Sequence, residues 1–381
     1  MLVRVCHVGN VSPNVANGVV EATARLVEYL PTLGVDCEVW NFSRSVKQPT
    51  HSHVRGLSRW QLPVIGPRHA VGAHLQVLAP STLGWLRERK TYIDVVHMHS
   101  VFQPDHIWAS HLSVPYIVTP HGGLAPHQLA RKRFGKSAWR KLFERSLLER
   151  AAFVQALTET ELTEIHSVAV EARAICLPIP MSAELLQRSE KPYSADGPIL
   201  SLGRLDVHEK GLDLLLAILG QIDRNLLRRG VILAGPGTER ELRHLRELIS
   251  AFELDHCVTV IGPVFGESKF RLIESASLVI QLSRSEGMPL VPLEAMALGV
   301  PIIVSPACRL NDVVTLSGGG WIVEPSGIDA AARIMKVLDL AARERAERGA
   351  SGRSWISSNL SWESLGSKYL AMYQLALLQH D

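Results

Sequence analysis

Two glutamates separated by seven residues are the clearest chemical signal in this sequence. Glu286 and Glu294 lie in the segment SRSEGMPLVPLEAMALGVPIIVS, whose pattern predicts a strand, a tight loop, a helix and a second strand. Glu286 falls in the loop and Glu294 in the helix, so both are expected to face the same cleft. A carboxylate accepts hydrogen bonds from sugar hydroxyls, which suits Glu286 for a hexose and Glu294 for a ribose. The alternative, a helix cap and a solvated helix residue, is disfavoured by the complete loop–helix pattern.

The start of this helix offers backbone N–H groups to a ligand. The first residues of a helix have no intrahelical acceptor for their N–H groups, which therefore attract anions and hydroxyl oxygens. Such donors are expected at Gly287, Met288, Leu290 and Val291. Pro289 has no N–H group and adds none.

Two cations mark a second loop, in the segment LGRLDVHEKGLDLLL. The pattern predicts a strand that ends before Arg204 and a helix that begins after Lys210. A helix N-terminus carries partial positive charge and disfavours cations, so two cations there make sense around a bound diphosphate. The guanidinium of Arg204 binds phosphate oxygens in pairs, and the ammonium of Lys210 acts as a point charge. Surface ion pairs with Asp206 and Glu209 remain the alternative.

Three further positions carry weaker signals. His121, in TPHGGL, follows a predicted strand at the edge where open α/β sheets bind ligands, although a structural histidine is the alternative. Gly18 closes the loop after the first strand and either presents backbone amides to a ligand or makes a structural turn. That loop lacks the Gly-x-Gly-x-x-Gly spacing of a dinucleotide site. Gly235 follows another strand, where contact with a base or ribose is left open.

The sequence predicts neither a metal site nor a disulfide framework. His97 and His99 alternate along one strand and are expected to face opposite sides, so they are not assigned as a metal pair. The five cysteines are far apart and form no Cys-x-x-Cys, which is typical of a reducing compartment. No Asp-x-Asp pair occurs in the chain.

These residues require elements to position them, and the chain supplies a βαβα rhythm. Short β-branched runs alternate with amphipathic segments, which predicts parallel sheets covered by helices on both faces. The alternation of strands and helices is interrupted once, by a polar, turn-rich stretch. We therefore expect a first domain at 1–182, a linker at 183–198 and a second domain at 199–361. A C-terminal helix either closes the second domain or crosses back, in which case about 362–381 join the first. No strand is predicted at 41–94.

Composition and charge narrow the class of protein. The 381-residue chain has a net charge of +3, too balanced to predict a nucleic-acid partner. We expect no signal peptide, because the apolar start contains Arg4, and no membrane-spanning helix. The segment Leu129–Arg150 holds eight basic and two acidic residues, with Trp139, Leu142 and Phe143 on one helical face. It is either a helix that contacts an anionic membrane or a domain helix that buries this stripe.

Taken together, these motifs resemble the retaining glycosyltransferases of family 4. The resemblance covers nearly the whole chain, most specifically at 201–305 and least at 43–89. It implies an α/β GT-B fold, in which two Rossmann-like, doubly wound parallel-sheet domains face a central cleft. The first domain would bind the acceptor and the second the nucleotide-sugar donor. TPHGGLAPHQL followed by a basic helix is similar to members that build polysaccharides on a membrane lipid carrier.

The resemblance also implies roles for single residues. Glu286 would contact the donor sugar and Glu294 the ribose, while Arg204 and Lys210 would grip the diphosphate. His121 would lie near the sugar, and Gly18 would be the family's first-loop glycine.

The expected activity is therefore metal-independent, retaining transfer of a hexose from a nucleotide diphosphate sugar to a hydroxyl acceptor, without a cofactor. The acceptor would be a glycan or lipid-linked saccharide of polysaccharide biosynthesis. The protein would be cytoplasmic and work at the inner face of the membrane. A non-catalytic nucleotide-sugar-binding scaffold subunit and a GT-B-fold sugar-nucleotide epimerase are the alternatives.

Overall fold

The chain forms two compact units. The computed structural model describes residues 2–12, 17–66, 77–130, 139–189 and 191–379. One unit comprises Met1–Pro180 with Leu365–Asp381, and the other comprises Met181–Ser364. The stretch 183–198 lies in the second unit, where Ala183–Leu186 forms a short helix.

The first unit is built on a sheet whose described strands follow the order β3-β4-β2-β1-β6-β7-β8-β9, with β5 paired to β4. Its strands are β1 Val3–Val8, β2 Val35–Ser43, β3 Thr50–Val54, β4 Leu57–Ile65, β5 Val77–Leu78, β6 Val95–His99, β7 Tyr116–Thr119, β8 Phe153–Ala156 and β9 Ala174–Cys176. All neighbours from β4 through β2 to β9 are parallel, as buried β-branched runs favour.

An antiparallel hairpin extends this sheet where no strand was expected. β3 and β4 turn through Arg55 and Gly56, which have φ of 54° and 77°. The strand β3, with the sequence THSHV, is largely exposed at the edge, and β4 contains Pro63. The prediction that residues 41–94 hold no strand is wrong because a half-exposed edge carries little apolar signal.

The second unit has a sheet of parallel strands in the order β12-β11-β10-β13-β14-β15. The strands are β10 Ile199–Leu202, β11 Val231–Ala234, β12 Val258–Ile261, β13 Leu278–Gln281, β14 Ile302–Val304 and β15 Gly320–Ile322. Their apolar side chains form a buried core with helix residues such as Leu215, Leu216 and Leu245.

Helices connect the strands in both units. In the described residues the α-helices are Gly18–Tyr29, Pro80–Arg89, Pro104–Ala109, Pro126–Ala130, Arg145–Glu149, Glu159–Val168, Ala183–Leu186, Leu212–Leu219, Glu239–Ala251, Gly266–Glu274, Leu290–Ala297, Asn311–Ser317, Ala330–Asp339, Ala342–Asn359 and Trp362–Leu378. Each sheet reverses its strand order once, so right-handed crossovers place helices on both faces. The α/β class with two doubly wound parallel sheets is confirmed. Among these helices none has the length and apolar character that crossing a bilayer requires.

One helix expected to be continuous is broken. The sequence pattern predicts a helix over Ile328–Arg345, but Ala330–Asp339 ends and a new helix, Ala342–Asn359, begins. Leu340 is extended, with ψ of 146°, and the guanidinium of Arg345 donates to the carbonyl oxygens of Leu338 and Leu340 at 2.9 and 2.7 Å. The buried arginine thereby satisfies carbonyl groups at the end of the first helix.

The C-terminal helix Trp362–Leu378 belongs to the first unit from Leu365 onward. Tyr369 and Tyr373 are fully buried there. The Tyr369 hydroxyl accepts from Gln155 Nε2 at 2.7 Å, and the Tyr373 hydroxyl lies 2.8 Å from His97 Nδ1. This helix therefore completes the polar interior of the first unit.

Gly349 packs closely within the helix Ala342–Asn359, and a glycine in another helix provides a control. A Cβ at Gly349 would come 1.9 Å from the carbonyl oxygen of Gly299, whereas a Cβ at Gly84, in Pro80–Arg89, would meet nothing within 4 Å. We expect Gly349→Ala to destabilise the protein by ~1–3 kcal/mol through overpacking. Gly84→Ala should be neutral or stabilising, since alanine favours helices by about 1 kcal/mol. Calorimetric melting temperatures of both variants check this, and equal temperatures would contradict it.

Candidate functional site

The site predicted in the second unit lies where the order of the sheet reverses. Strands β11 and β12 lie on one side of β10, and β13, β14 and β15 lie on the other. Ligands of open α/β sheets bind at the carboxyl ends of strands at such a switch point. The loop after β10 carries Arg204 and Lys210, and the loop after β13 carries Glu286.

Lys210 and Glu286 connect these two loops. The Glu286 carboxylate oxygen Oε1 accepts hydrogen bonds from Lys210 Nζ at 2.5 Å, Gln281 Nε2 at 2.7 Å and Ser283 Oγ at 2.7 Å. Its other oxygen, Oε2, has no protein partner among the described residues. The side chains of Lys210 and Glu286 are only 21% and 14% exposed. The carboxylate is therefore held by one oxygen and can accept a hydrogen bond from a ligand with the other.

Arg204 lies on the same loop and is half-exposed. Its guanidinium pairs with Glu209 at 3.1 Å, with 51% of the Arg204 side chain exposed. The alternative prediction, that these cations form surface ion pairs with Asp206 and Glu209, is thus correct for Arg204. Lys210 pairs with Glu286 instead. An exposed ion pair contributes about 0–1 kcal/mol, so Glu209 holds the Arg204 side chain only weakly.

Two glycines near these loops pack closely against neighbouring backbone. Gly211 begins the helix Leu212–Leu219 with φ of 63°, and a Cβ there would lie 2.1 Å from the carbonyl oxygen of Leu282. Gly235, after β11, has φ of 145°, and its Cβ would lie 1.8 Å from the carbonyl oxygen of Gly203. Both positions therefore require glycine for packing. A role of Gly235 in donor binding stays a prediction.

A second ion pair braces the same two loops. The Arg284 guanidinium donates to both carboxylate oxygens of Asp213 at 2.7 and 2.8 Å, and to the carbonyl oxygen of His208 at 2.8 Å. Burial alone would raise the pKa of Asp213, but the hydrogen bonds and charge of Arg284 bring the pKa below the ordinary value.

Glu294 lies in Leu290–Ala297 and is completely buried. Lys269 Nζ, from the helix Gly266–Glu274, donates to Glu294 Oε1 at 2.8 Å. Sequence reasoning missed Lys269 because the pairing is tertiary. It also missed Gln281 and Ser283, whose proximity to Glu286 in the chain is the signal that would have found them.

The helix Leu290–Ala297 begins where the ligand-binding N–H groups are predicted. Pro289 precedes the helix with extended backbone, and no side chain caps the helix start. Gly287, Met288, Leu290 and Val291 are all partly exposed, so ligand binding by their backbone N–H groups stays a prediction.

In the first unit, His121 follows β7 in a turn of left-handed residues. His121 and Gly122 have φ of 52° and 77°, and the Gly122 N–H donates to Glu161 at 2.5 Å. A Cβ at Gly123 would lie 2.3 Å from Val101 Cγ2. The turn is therefore fixed by packing, and His121 remains partly exposed at its surface.

The expectation that His97 and His99 face opposite sides is wrong. Residues two apart on a strand share a face, and the two rings stack with centroids 4.4 Å apart. With His7 they bring ring nitrogens within 4.8 Å of one another, a spacing compatible with a metal ion. The nitrogens of His97 already contact Tyr373 and Thr119, at 2.8 and 2.7 Å. The arrangement fits a hydrogen-bonded network better than a metal site.

Gly18 begins the helix Gly18–Tyr29, directly after its cap Asn17. Among the described residues, nothing lies within 4 Å of a Cβ placed at Gly18, so packing against this part of the chain does not require glycine there. The preceding residues 13–16 of the predicted loop lie outside the described residues, and the contact of Gly18 with a ligand stays a prediction.

Two family models together match most of the chain. Residues 17–179 match the glycosyl transferase 4-like domain, and residues 183–355 match glycosyl transferases group 1. The chain is a glycosyltransferase that combines these two domains.

Proteins similar in sequence to this glycosyltransferase are themselves named as glycosyltransferases. It is 25% identical over 315 residues to the GDP-mannose:cellobiosyl-diphosphopolyprenol alpha-mannosyltransferase of Xanthomonas campestris, a match covering 80% of this chain and 79% of the relative. An uncharacterised glycosyltransferase of Methanocaldococcus jannaschii is 29% identical over 182 residues, which span 47% of this chain and 45% of that relative.

Solved structures share the fold of this glycosyltransferase. Sucrose-phosphate synthase from Thermosynechococcus elongatus has a TM-score of 0.78 at 19% identity, covering 99% of this chain and 100% of that one. HepE of Anabaena, solved with UDP and glucose, has a TM-score of 0.75 at 16% identity, covering 98% and 99%. Both support the GT-B architecture.

The Arg284–Asp213 brace predicts a pH dependence of stability. Because the pKa of Asp213 is lowered in the folded protein, its stabilising effect is present above the ordinary pKa of 3.8 and lost as the pH falls. Asp213→Asn should therefore lower the melting temperature at pH 6, and the difference from the wild type should shrink towards pH 3. A difference that stays constant over this range would refute the ion pair.

Proposed function

We propose that this glycosyltransferase moves a hexose from a nucleotide diphosphate sugar to a hydroxyl acceptor with retention of the anomeric configuration. The observation that carries the proposal is the Lys210–Glu286 pair at the switch point of the second sheet, with Glu286 Oε2 open to a ligand. The two matched domains support the class of reaction.

Each charged group has a role in this proposal. Glu286 Oε2 accepts a hydrogen bond from a donor-sugar hydroxyl, while Lys210 and Arg204 stabilise the diphosphate. Glu294, held by Lys269, orients the ribose of the nucleotide. His121 contacts the sugar, as the resemblance implies.

The chemistry breaks the bond between the anomeric carbon and the diphosphate oxygen. A bond from the anomeric carbon to the acceptor oxygen forms on the same face. The proton of the acceptor hydroxyl goes to an oxygen of the leaving phosphate, so no protein nucleophile is needed. Negative charge grows on the leaving group, and positioned cations lower the barrier electrostatically. Lys210 and Arg204 replace a divalent ion in this role, so the reaction needs neither metal nor cofactor.

GDP-mannose is the donor that we propose. Relatives from Xanthomonas campestris and Mycolicibacterium hassiacum are named mannosyltransferases, the first acting from GDP-mannose on a diphosphopolyprenol-linked saccharide. The acceptor would likewise be a glycan or lipid-linked saccharide of polysaccharide assembly.

Charge-neutralising variants test this site. We expect Glu286→Gln and Lys210→Gln to lower kcat by ~10²–10³-fold, since each removes a group that stabilises the developing charge. Arg343→Ala is the matched control, because the Arg343 side chain is 89% exposed and forms an exposed pair with Glu347. Release of nucleoside diphosphate, with a diphosphopolyprenol-linked saccharide as acceptor, gives the rates. Transfer should persist in EDTA, and proton NMR should show a product with the anomeric configuration of the donor.

Other outcomes would contradict the proposal. Full activity of both glutamine variants would refute the site. Donor consumption without an acceptor product would indicate an epimerase, and donor binding without turnover would indicate a scaffold subunit. An inverted product, or activity lost in EDTA and restored by a divalent cation, would refute the mechanism.

We further propose that the described end of the basic segment contacts an anionic membrane at its cytoplasmic face, where a lipid-linked acceptor lies. The helix expected over residues 137–150 has a π-helical turn at Arg140–Glu144, followed by Arg145–Glu149. Leu142 is 68% and Phe143 41% exposed, and Lys141 and Arg145 are exposed beside them. Apolar side chains flanked by cations suit the interface of an anionic bilayer. Lys132, Arg133 and Lys136 lie outside the described residues.

Liposome binding checks this contact. The protein should co-sediment with vesicles containing phosphatidylserine at low salt and be released as salt screens the charges. The double variant Leu142→Ser/Phe143→Ser should bind more weakly. Leu83→Ser, which changes an apolar side chain as exposed as Phe143 on Pro80–Arg89, should not. No binding at low salt would refute the proposal.

A further inference from the structure

Three imidazoles in the first unit form a chain of hydrogen bonds that ends at His121. His121 Nε2 lies 3.1 Å from His99 Nδ1, and His99 Nε2 lies 2.9 Å from His7 Nδ1. Beyond them, His7 Nε2 lies 3.9 Å from the Cys37 sulfur. Each inner ring thus uses both of its nitrogens within the chain, and His121 is left with one nitrogen, Nδ1.

Burial keeps these rings neutral. His7 and His99 are 0% and 3% exposed. Burial lowers the pKa of His7 and of His121 to about 3, and burial followed by the neighbouring histidines lowers that of His99. A neutral imidazole has one donor and one acceptor nitrogen. All bonds of the chain must therefore point in the same direction.

The contacts of Cys37 favour one direction. Its thiol donates to the carbonyl oxygen of Val35 at 3.8 Å, which leaves the sulfur as the acceptor towards His7. His7 Nε2 then donates to the sulfur, and His7 Nδ1 accepts from His99 Nε2. By the same logic, His99 Nδ1 accepts from His121 Nε2. His121 Nδ1 consequently carries the lone pair.

Packing holds the middle ring in this orientation. The His99 ring stacks on His97 with centroids 4.4 Å apart, and it lies nearly coplanar with His7, its hydrogen-bond partner, at an interplanar angle of 11°. His97 is itself fixed by Tyr373 and Thr119, at 2.8 and 2.7 Å. The His99 ring has little freedom to turn or to change its hydrogen bonds.

We infer that His99 and His7 are positioning residues, which hold His121 as the Nε2–H tautomer so that its Nδ1 accepts a hydrogen bond from a substrate hydroxyl group. The hydroxyl belongs to the donor sugar or to the acceptor, and this part rests on the proposed function. A histidine in the opposite tautomer would present an N–H there, which donates to the hydroxyl oxygen and leaves the hydroxyl hydrogen without this acceptor.

Nitrogen-15 NMR of the unliganded protein tests the tautomer without an activity assay. Long-range proton–nitrogen spectra at pH 7 should show His7, His99 and His121 neutral and protonated at Nε2. The variants His121→Gln, His99→Asn and His7→Gln assign the signals by their loss. A His121 signal protonated at Nδ1, or at both nitrogens, would overturn the inference.

Two substitutions of His99 distinguish a role in positioning His121 from a general role in stabilising the fold. Asparagine places an amide near the former Nδ1 position and can still accept from His121, whereas glutamine reaches the Nε2 position and contacts His7 instead. We expect His99→Asn to keep kcat within about threefold of the wild type. His99→Gln should lower kcat at least tenfold, keep the donor KM within twofold and give His121 a mixture of tautomers.

Failure of the inference is distinguishable from failure of the proposed function. Equal kcat values and one His121 tautomer in both folded variants would overturn the positioning role. If His121→Gln transfers sugar at the wild-type rate, the proposed role of His121 in transfer fails, while the NMR result still decides the tautomer.

Discussion

The ion pair between Lys210 and Glu286 is the interaction on which the candidate site depends. It joins loops that follow two adjacent parallel strands, β10 and β13, and it is largely shielded from water. Removing one partner would leave the other charge shielded from water and uncompensated, so each charge depends on the other. Gln281 and Ser283 satisfy the same carboxylate oxygen. These hydrogen bonds hold the two loops in place within the protein itself, which is the preorganisation that electrostatic stabilisation of a developing charge requires.

The first unit places polar groups at its own switch point by different chemistry. There β1 and β6 lie side by side, and His7 is in register with His97. Neutral imidazoles avoid the cost of burying charge, provided that every nitrogen finds a partner. The hydrogen bonds to Tyr373 and Thr119 meet this condition for His97. One sheet thus supports charge at its carboxyl edge, and the other supports a defined pattern of donors and acceptors.

Much of this arrangement was predictable from the sequence, because its signals are local. Strand-forming runs gave the two parallel sheets, and the loops after β10 and β13 were found from glycine, cation and glutamate spacing. The partner of Glu294 was not predictable, since Lys269 comes from another helix. The hairpin of β3 and β4 was missed because an exposed edge has weak apolar alternation. The shared face of His97 and His99 follows from strand geometry and was misjudged.

The C-terminal helix has a consequence for how the molecule is made. The first unit contains the beginning of the chain, yet its buried His97 and Gln155 find hydroxyl partners in Tyr373 and Tyr369. A buried polar group without its partner costs about 1–3 kcal/mol. During synthesis, the unit that leaves the ribosome first therefore reaches its final stability last, after the second unit has emerged. Trimming the chain before Leu365 would weaken the N-terminal unit rather than the one that precedes the cut.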